Sequence, residues 1–284
     1  MPPAEAPEAP ALSEAAPDAP APLAETPEPP TPQRRRRLRG VLRWTAAVLV
    51  FAVAGASSAY GVARMERAEL PGLSTLSDGR WEYPRIVHPP LPAGRPGPSD
   101  DDNLALVHYA DLRKLVLPAP KGAKADPKFA DHGWVKPETY IAEYELEDDR
   151  DLLKSMLVDR GLRHIAGRAW TMPDGTRTRI YLLQFETGLV VSEVQENHFS
   201  GYATPTRPLR GALASDTDAS FPEAVSDGIL MNAYVEAKPY GAEQVRHAYL
   251  TSGDVIALVV QSRKGGAEQI PFQQTVALQR QLLD

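Results

Sequence analysis

The sequence predicts an α+β fold: an antiparallel sheet built from two β-hairpins with helices packed on one face, preceded by a single transmembrane helix and a disordered N-terminal tail. Three observations predict it. An uncharged run extends from Trp44 to Ala63 and follows six clustered arginines. Two later segments place β-branched and aromatic residues on either side of Gly/Asp turns, and an amphipathic stretch closes the chain.

Residues 1–40 are predicted to be a disordered cytoplasmic tail that ends in a basic cluster. Residues 1–32 are mostly Pro, Ala and Glu, with almost no large apolar side chain. Such a composition cannot bury enough surface to offset the entropy lost on ordering. The basic cluster consists of Arg34, Arg35, Arg36, Arg37, Arg39 and Arg43.

Residues 41–64 are predicted to be a transmembrane helix, with lipid as the partner of the stretch from Trp44 to Ala63. An α-helix rises about 1.5 Å per residue, so the uncharged run reaches roughly 30 Å, the thickness of a bilayer's hydrocarbon layer. Because arginines stay on the cytoplasmic side, we expect a single-pass protein of the cell membrane with its C-terminal part extracytoplasmic. The alternative is a cleaved secretory signal, since residues 54–59 offer small side chains at peptidase spacing.

The charge distribution argues against nucleic acid as a partner. The chain of 284 residues has a net charge of -6, and residues 1–43 hold equal numbers of acids and bases. The acidic excess therefore lies beyond the membrane segment, whereas nucleic-acid binding needs cations that neutralise phosphates. The chain has no cysteine, which excludes disulfides, a thiolate nucleophile and thiolate metal sites.

Residues 65–99 are predicted to be a proline-rich extracytoplasmic spacer, followed by an extracytoplasmic α+β domain over residues 100–284. Seven prolines between residues 71 and 98 exclude long helices and strands. From residue 100 to Leu117 the apolar spacing predicts a helix whose core face includes Leu104 and His108. A histidine on such a face is more typical of a hydrogen-bonded packing residue than of a ligand.

The next segments predict a loop and then helix. Residues 118–137 contain four lysines beside Phe129 and Trp134, which indicates either a solvated loop or a site for an anionic ligand. Residues 138–161 predict one bent helix or two short ones. A calcium loop at residues 147–158 fits poorly, because Leu152 and Val158 occupy the positions of its glycine and its closing glutamate.

Two hairpins and a final helix make up the predicted sheet region. The first hairpin spans residues 162–185, and the second spans residues 245–262. A short helix over residues 188–196 and a strand over residues 231–238 lie between them, and residues 271–283 predict the amphipathic closing helix. Both hairpins open with an Arg-His pair, which indicates either a duplicated unit or two ordinary strand edges.

The candidate ligand-binding residues lie between the hairpins. Residues 197–228 show no clear periodicity, and a loop of that length favours a binding role. Its ring-bearing residues are the predicted ligand contacts: His198, Phe199, Tyr202 and Phe221. The alternative is a loop that packs its own aromatics. The chain contains no catalytic or phosphate-binding motif and no metal-ligand spacing, so no catalytic residue, metal or cofactor is predicted.

Two stretches of the domain carry a resemblance to known proteins. RAWTMPDGTRTRIYLLQF at residues 168–185 and HYADLR at residues 108–113 resemble segments of uncharacterised single-pass membrane proteins of actinobacteria. More distantly, the closing hairpin and helix resemble the extracytoplasmic sensor domains of actinobacterial serine/threonine kinases. Those sensors typically have disulfides and a kinase domain, and this chain has neither. The resemblance therefore implies a sensor-like ectodomain, and kinase activity is not carried over.

These observations together predict a membrane-anchored extracytoplasmic binding or sensor-like module that is not an enzyme. Its expected partner is a cell-envelope ligand or another membrane protein. Two alternatives remain open: a cell-surface hydrolase with a spatially assembled site, and a structural accessory subunit of a membrane complex.

Overall fold

The computed structural model describes residues 33–64, 78–129, 133–199, 203–221 and 229–284. The chain divides into two compact units between residues 75 and 76. In the first unit, helix α1 spans Gln33–Arg64. Its stretch Val41–Ser58 has a mean hydropathy of 1.6, and its length and composition suffice to cross a membrane.

Helix α1 begins within the range predicted as disordered tail. Residues 1–32 of that tail lie outside the described residues. Residues 33–40, by contrast, are helical. The arginines of the basic cluster have good helix propensity, so the apolar segment extends its helix through them.

The second unit is built on one seven-stranded sheet, which confirms the α+β class. All neighbouring strands are antiparallel, in the order β1-β2-β3-β7-β6-β5-β4. The strands are β1 (Lys124–Ala125), β2 (His164–Thr171), β3 (Arg177–Gln184), β4 (Ser215–Thr217), β5 (Leu230–Glu236), β6 (Glu243–Ser252) and β7 (Val255–Lys264). Strands β2–β3 and β6–β7 form hairpins at the two predicted places and β3 pairs with β7 at the centre, but β1, β4 and β5 extend the sheet beyond the two hairpins.

Helices cover both faces of the sheet, so the predicted single helical face is wrong. The remaining helices are α2 (Leu112–Leu115), α3 (Pro137–Ile141), α4 (Glu147–Asp159), α5 (Gly188–Val194) and α6 (Gln269–Leu283). Tyr181 and Leu258 point to face A, where α3, α4 and α5 pack. Ile180 and Val259 point to face B, where α2 and α6 pack. Because side chains alternate across a strand and both sets are apolar, each face needs its own cover.

The helix predicted over residues 100–117 is reduced to the single turn α2. Leu104, expected in the core, is 95% exposed, and Leu106 has a φ of +52°. The carbonyls of Ala105 and Leu106 accept hydrogen bonds from the backbone of Gly188 and Asp254 instead. Tertiary pairing of this segment with the start of α5 and the β6–β7 turn therefore replaces the helical hydrogen bonds.

The folded domain also begins before residue 100. Trp81, Tyr83 and Ile86 pack against the face B cluster, so residues 80–86, here called the strap, belong to the domain rather than to the predicted spacer. Trp81 N donates to Gln274 Oε1 at 2.8 Å, and Tyr83 Oη lies 2.8 Å from Thr275 Oγ1. The prolines of this region allow an extended chain, and its aromatic side chains dock that chain on α6.

Candidate ligand-binding cleft

A cleft of about 700 Å³ opens on face A along the first half of strand β3. Arg177, Arg179 and Tyr181 alternate along β3, so all three side chains point to this face. The cleft is also lined by Glu143, which follows helix α3, and by Glu243, which opens β6. Clefts of this volume with convergent polar groups are the usual places for small ligands.

Glu143 is the centre of the cleft's polar network. Its Oε1 accepts a hydrogen bond from Arg179 Nε at 2.7 Å and another from Tyr181 Oη at 2.6 Å. Its backbone carbonyl accepts a 2.7 Å hydrogen bond from Arg210 N, which fixes the turn that carries it. The Glu143 side chain is 12% exposed and that of Arg179 is 21% exposed, so the ion pair faces the cleft with limited access to water.

The surroundings keep Tyr181 protonated and Arg179 charged. Burial raises the pKa of the Tyr181 phenol, and the negative charge of Glu143 raises it further. For Arg179, burial opposes the charged form, but the attraction of Glu143 outweighs it and the pKa is raised. Among the described residues, Arg179 bonds through Nε only, so the outer guanidinium nitrogens are not committed to another side chain.

A second ion pair borders the cleft. Arg177 Nη2 lies 2.6 Å from Glu243 Oε2. Burial alone would raise the pKa of the Glu243 carboxyl, but the hydrogen bonds from Arg177 and Ser262 and the nearby positive charges together outweigh burial, so the pKa is lowered. Glu243 is thus ionised at neutral pH.

The described lining of the cleft balances four acids against four bases. Besides the two ion pairs, it includes Asp126, Lys128, Glu138 and Arg210. Phe129 supplies an apolar patch and packs on Tyr181 with ring centroids 5.5 Å apart. The arrangement can bind a carboxylate and an ammonium group at once, because cationic donors for the carboxylate and anionic acceptors for the ammonium group line the same cleft around one apolar patch.

The predicted ligand contacts in the long loop do not share a pocket. Phe199 is 2% exposed and stacks on Tyr249 within the face A core, with ring centroids 5.0 Å apart. His198 lies against Arg207, whose guanidinium donates to the His198 carbonyl and lies 3.2 Å from Nδ1. Burial and this neighbouring cation lower the pKa of His198.

Phe221 lies on the opposite side of the sheet. It packs edge-on against Phe272 of α6, with ring centroids 5.9 Å apart, in the face B cluster. Tyr202 lies outside the described residues. The described members of the predicted set therefore divide between the two faces, and none lines the cleft on face A.

Sequence reasoning missed the cleft because its residues come from separate segments. The only local signal is the alternation of Arg177, Arg179 and Tyr181 in a strand that carries Ile180 and Leu182 on its other face. Among the described residues, no three His, Asp or Glu side chains are close enough together to hold a metal ion.

Comparison of the chain with protein-family models gave no match, and comparison with curated proteins gave none either.

Proposed function

We propose that this chain is a membrane-anchored binding or sensor-like module, not an enzyme, whose cleft on face A holds a small zwitterionic ligand such as a short peptide. The observation that carries the proposal is the Glu143 network, which shares the cleft with six further charged side chains of both signs. An arginine with uncommitted guanidinium nitrogens suits a carboxylate, and exposed Glu138 suits an ammonium group.

The proposed location rests on helix α1 and the arginines around its first turns. Positive residues are retained in the cytoplasm, so the domain that follows would lie outside the membrane. The resemblance to single-pass membrane proteins and sensor domains of actinobacteria favours the same layout. Protease added to intact cells should then digest the domain while an N-terminal tag stays protected; protection of the domain would contradict the layout.

The ligand class is tested by calorimetry on the full chain in detergent micelles. Alanyl-alanine should bind at least tenfold more tightly than the same dipeptide with acetylated and amidated ends, because the blocked form offers no charges. Equal binding of both forms, or binding of neither, would contradict the proposal.

The site is tested with exposed residues, whose replacement leaves the fold intact. Arg210→Gln and Glu138→Gln should each weaken dipeptide binding about tenfold, the value of one charge-assisted hydrogen bond of about 1.4 kcal/mol. Lys154→Gln, on exposed α4 surface away from the cleft, is the matched control and should bind like the unchanged chain. Equal affinities for all three variants would place the ligand elsewhere.

A further inference from the structure

A second concave region lies beside strand β2, separate from the cleft. It consists of two adjoining pockets of about 470 and 430 Å³ that share Arg113 as a common wall. We call the pair the basic groove. The first pocket lies by the start of β2, and the second lies between α2 and residues 85–90, which follow the strap.

Stacked side chains hold the cations of the first pocket in place. The guanidinium of Arg113 lies 5.0 Å from the ring centroid of Trp134, and Trp134 in turn contacts the His164 ring at 5.0 Å. Arg95 lies 4.7 Å over the ring of Tyr109. Arg163 also lines the pocket, so arginines from three chain segments converge on one space.

The second pocket adds cations from three segments. Arg85, Lys114 and Arg168 line it together with His88 and the shared Arg113. Arg168 is half-buried and donates to the Val116 carbonyl at 3.1 Å. Burial lowers its pKa, since no carboxylate lies within ion-pair distance among the described residues.

Cations are in excess in the groove, whereas acids are in excess in the chain after residue 63. Of the described residues that line either pocket, Asp111 is the single acid, and it already holds Arg113 through Nε and Nη2 at 2.9 and 2.7 Å. Elsewhere in the domain, Arg177, Arg179 and Arg246 have carboxylate partners. The other arginines of the groove, in the described part of the chain, have none: Arg85, Arg95, Arg163 and Arg168.

We propose that the basic groove binds a linear chain of phosphate groups, with a phosphate in each pocket on either side of Arg113. A planar carboxylate is satisfied by one guanidinium fork, as Asp111 shows with Arg113. Cations that approach from several directions instead suit the tetrahedral oxygens of phosphate. Two joined pockets need a ligand that carries the same charge on neighbouring units. This site is distinct from the cleft and does not depend on its ligand.

The test measures binding of inorganic polyphosphate to the full chain in uncharged lipid nanodiscs. One variant, Arg95→Gln/Arg163→Gln, alters the first pocket, and a second, Arg85→Gln/Lys114→Gln, alters the second pocket. The matched control removes two exposed lysines that line neither pocket, Lys154→Gln/Lys264→Gln. All versions keep the arginines before the membrane segment, so differences between them report the groove.

Each groove variant should bind polyphosphate at least tenfold more weakly than the control, with a salt dependence shallower by about one per lost phosphate contact. Thermal unfolding at the same midpoint as the control shows that a variant is folded; if one pocket variant is not, the other decides. Equal affinity of the control and the folded groove variants would overturn the proposal. Binding of inorganic phosphate as tight as that of polyphosphate would overturn it as well.

Two further probes identify the source of the charge. Oligogalacturonate that binds more tightly than polyphosphate would overturn the assignment to phosphate. Oligothymidylate of the same phosphate number should bind more weakly than polyphosphate, which assigns the groove to phosphate polymers without bases. Tighter binding of oligothymidylate would overturn that assignment.

Discussion

At the scale of single residues, two buried histidines show what a sequence does and does not reveal. His108 was expected on an apolar face as a hydrogen-bonded packing residue, and the structure buries it with Nδ1 2.7 Å from Asp254 Oδ1 and Nε2 3.2 Å from the Leu283 carbonyl. His247 is fully buried, and neither ring nitrogen has a hydrogen-bond partner among the described residues. Nothing local separates them, because the partners of His108 lie more than a hundred residues away.

His247 predicts a loss of stability in acid. Burial lowers its pKa to about 3, so the folded chain keeps it neutral while the unfolded chain protonates it near its ordinary value. The contribution of neutral His247 to the free energy of unfolding is therefore complete above a pH of about 6.5. It falls by about 1.4 kcal/mol per pH unit as the pH drops towards 3. His247→Phe keeps a ring between Tyr234 and Tyr249 and should flatten this decline in urea unfolding from pH 7 to pH 5.

The control for that experiment is His88→Phe, which replaces an exposed histidine. It makes the same exchange of residue types at an exposed position, so it separates the effect of burial from that of the exchange itself. If His247→Phe and the unchanged chain lose stability in parallel, the acid sensitivity does not come from His247.

At the scale of elements, most segments with a clear apolar period were predictable, whereas the helix expected over residues 100–117 and the shortest strands were not. Both hairpins and α6 follow the predicted residues within a few positions, and the segment from residue 138 forms two helices, one of the expected alternatives. Strands β1 and β4 have two and three residues, too few to show a period. They exist because a neighbouring strand edge pairs with them.

Two hairpin glycines test how the β6–β7 turn is held. Gly175 and Gly253 both have positive φ, at +85° and +47°, but a Cβ on Gly175 would meet nothing within 4 Å. A Cβ on Gly253 would lie 2.2 Å from the Leu106 carbonyl oxygen. We expect Gly175→Ala to cost about 1 kcal/mol from backbone strain, and Gly253→Ala to cost about 2 kcal/mol more from the displaced segment.

Urea unfolding measures both variants. Equal losses would show that the segment around Leu106 moves aside without a loss of stability. That result would contradict a stabilising role for its hydrogen bonds with Gly188 and Asp254. Gly175→Ala is itself the matched control, since it places the same side chain in a comparable turn.

At the scale of the whole molecule, the sequence predicted the class of fold but not the location of the cleft. Apolar residues on both faces of β3 and β7 fit the interior positions of these strands in the sheet, and they require the second helical layer that was not predicted. The cleft forms where β3, the end of α3 and the start of β6 meet, and only the strand order brings them together. The aromatic loop attracted the prediction because its rings resemble ligand contacts; Phe199 and Phe221 are instead packed in the core.

The strap predicts where a stable fragment must begin. A fragment over residues 78–284 keeps the contacts of Trp81, Tyr83 and Ile86 with face B, whereas a fragment over residues 100–284 exposes that surface. The shorter fragment should lose about 3 kcal/mol of unfolding free energy, the value of uncovering two or three large side chains.

Chemical denaturation of the two fragments checks this expectation. Trp81→Ala in the longer fragment should give part of the loss, and Val87→Ala, at an exposed position just after the strap, should give almost none. Equal stability of the two fragments would mean that the strap covers face B without stabilising it.

The strap also determines how the domain responds to mechanical load. Within the described residues, the strap is anchored by hydrogen bonds to Gln274 and Thr275 of α6 and by the bonds of Glu82 to Lys121. Tension applied through the chain that precedes residue 78 would therefore reach these bonds before the hydrogen-bonded ladders of the sheet. Such a pull would detach the strap from α6 and expose the apolar surface of α6 while the seven strands stay paired.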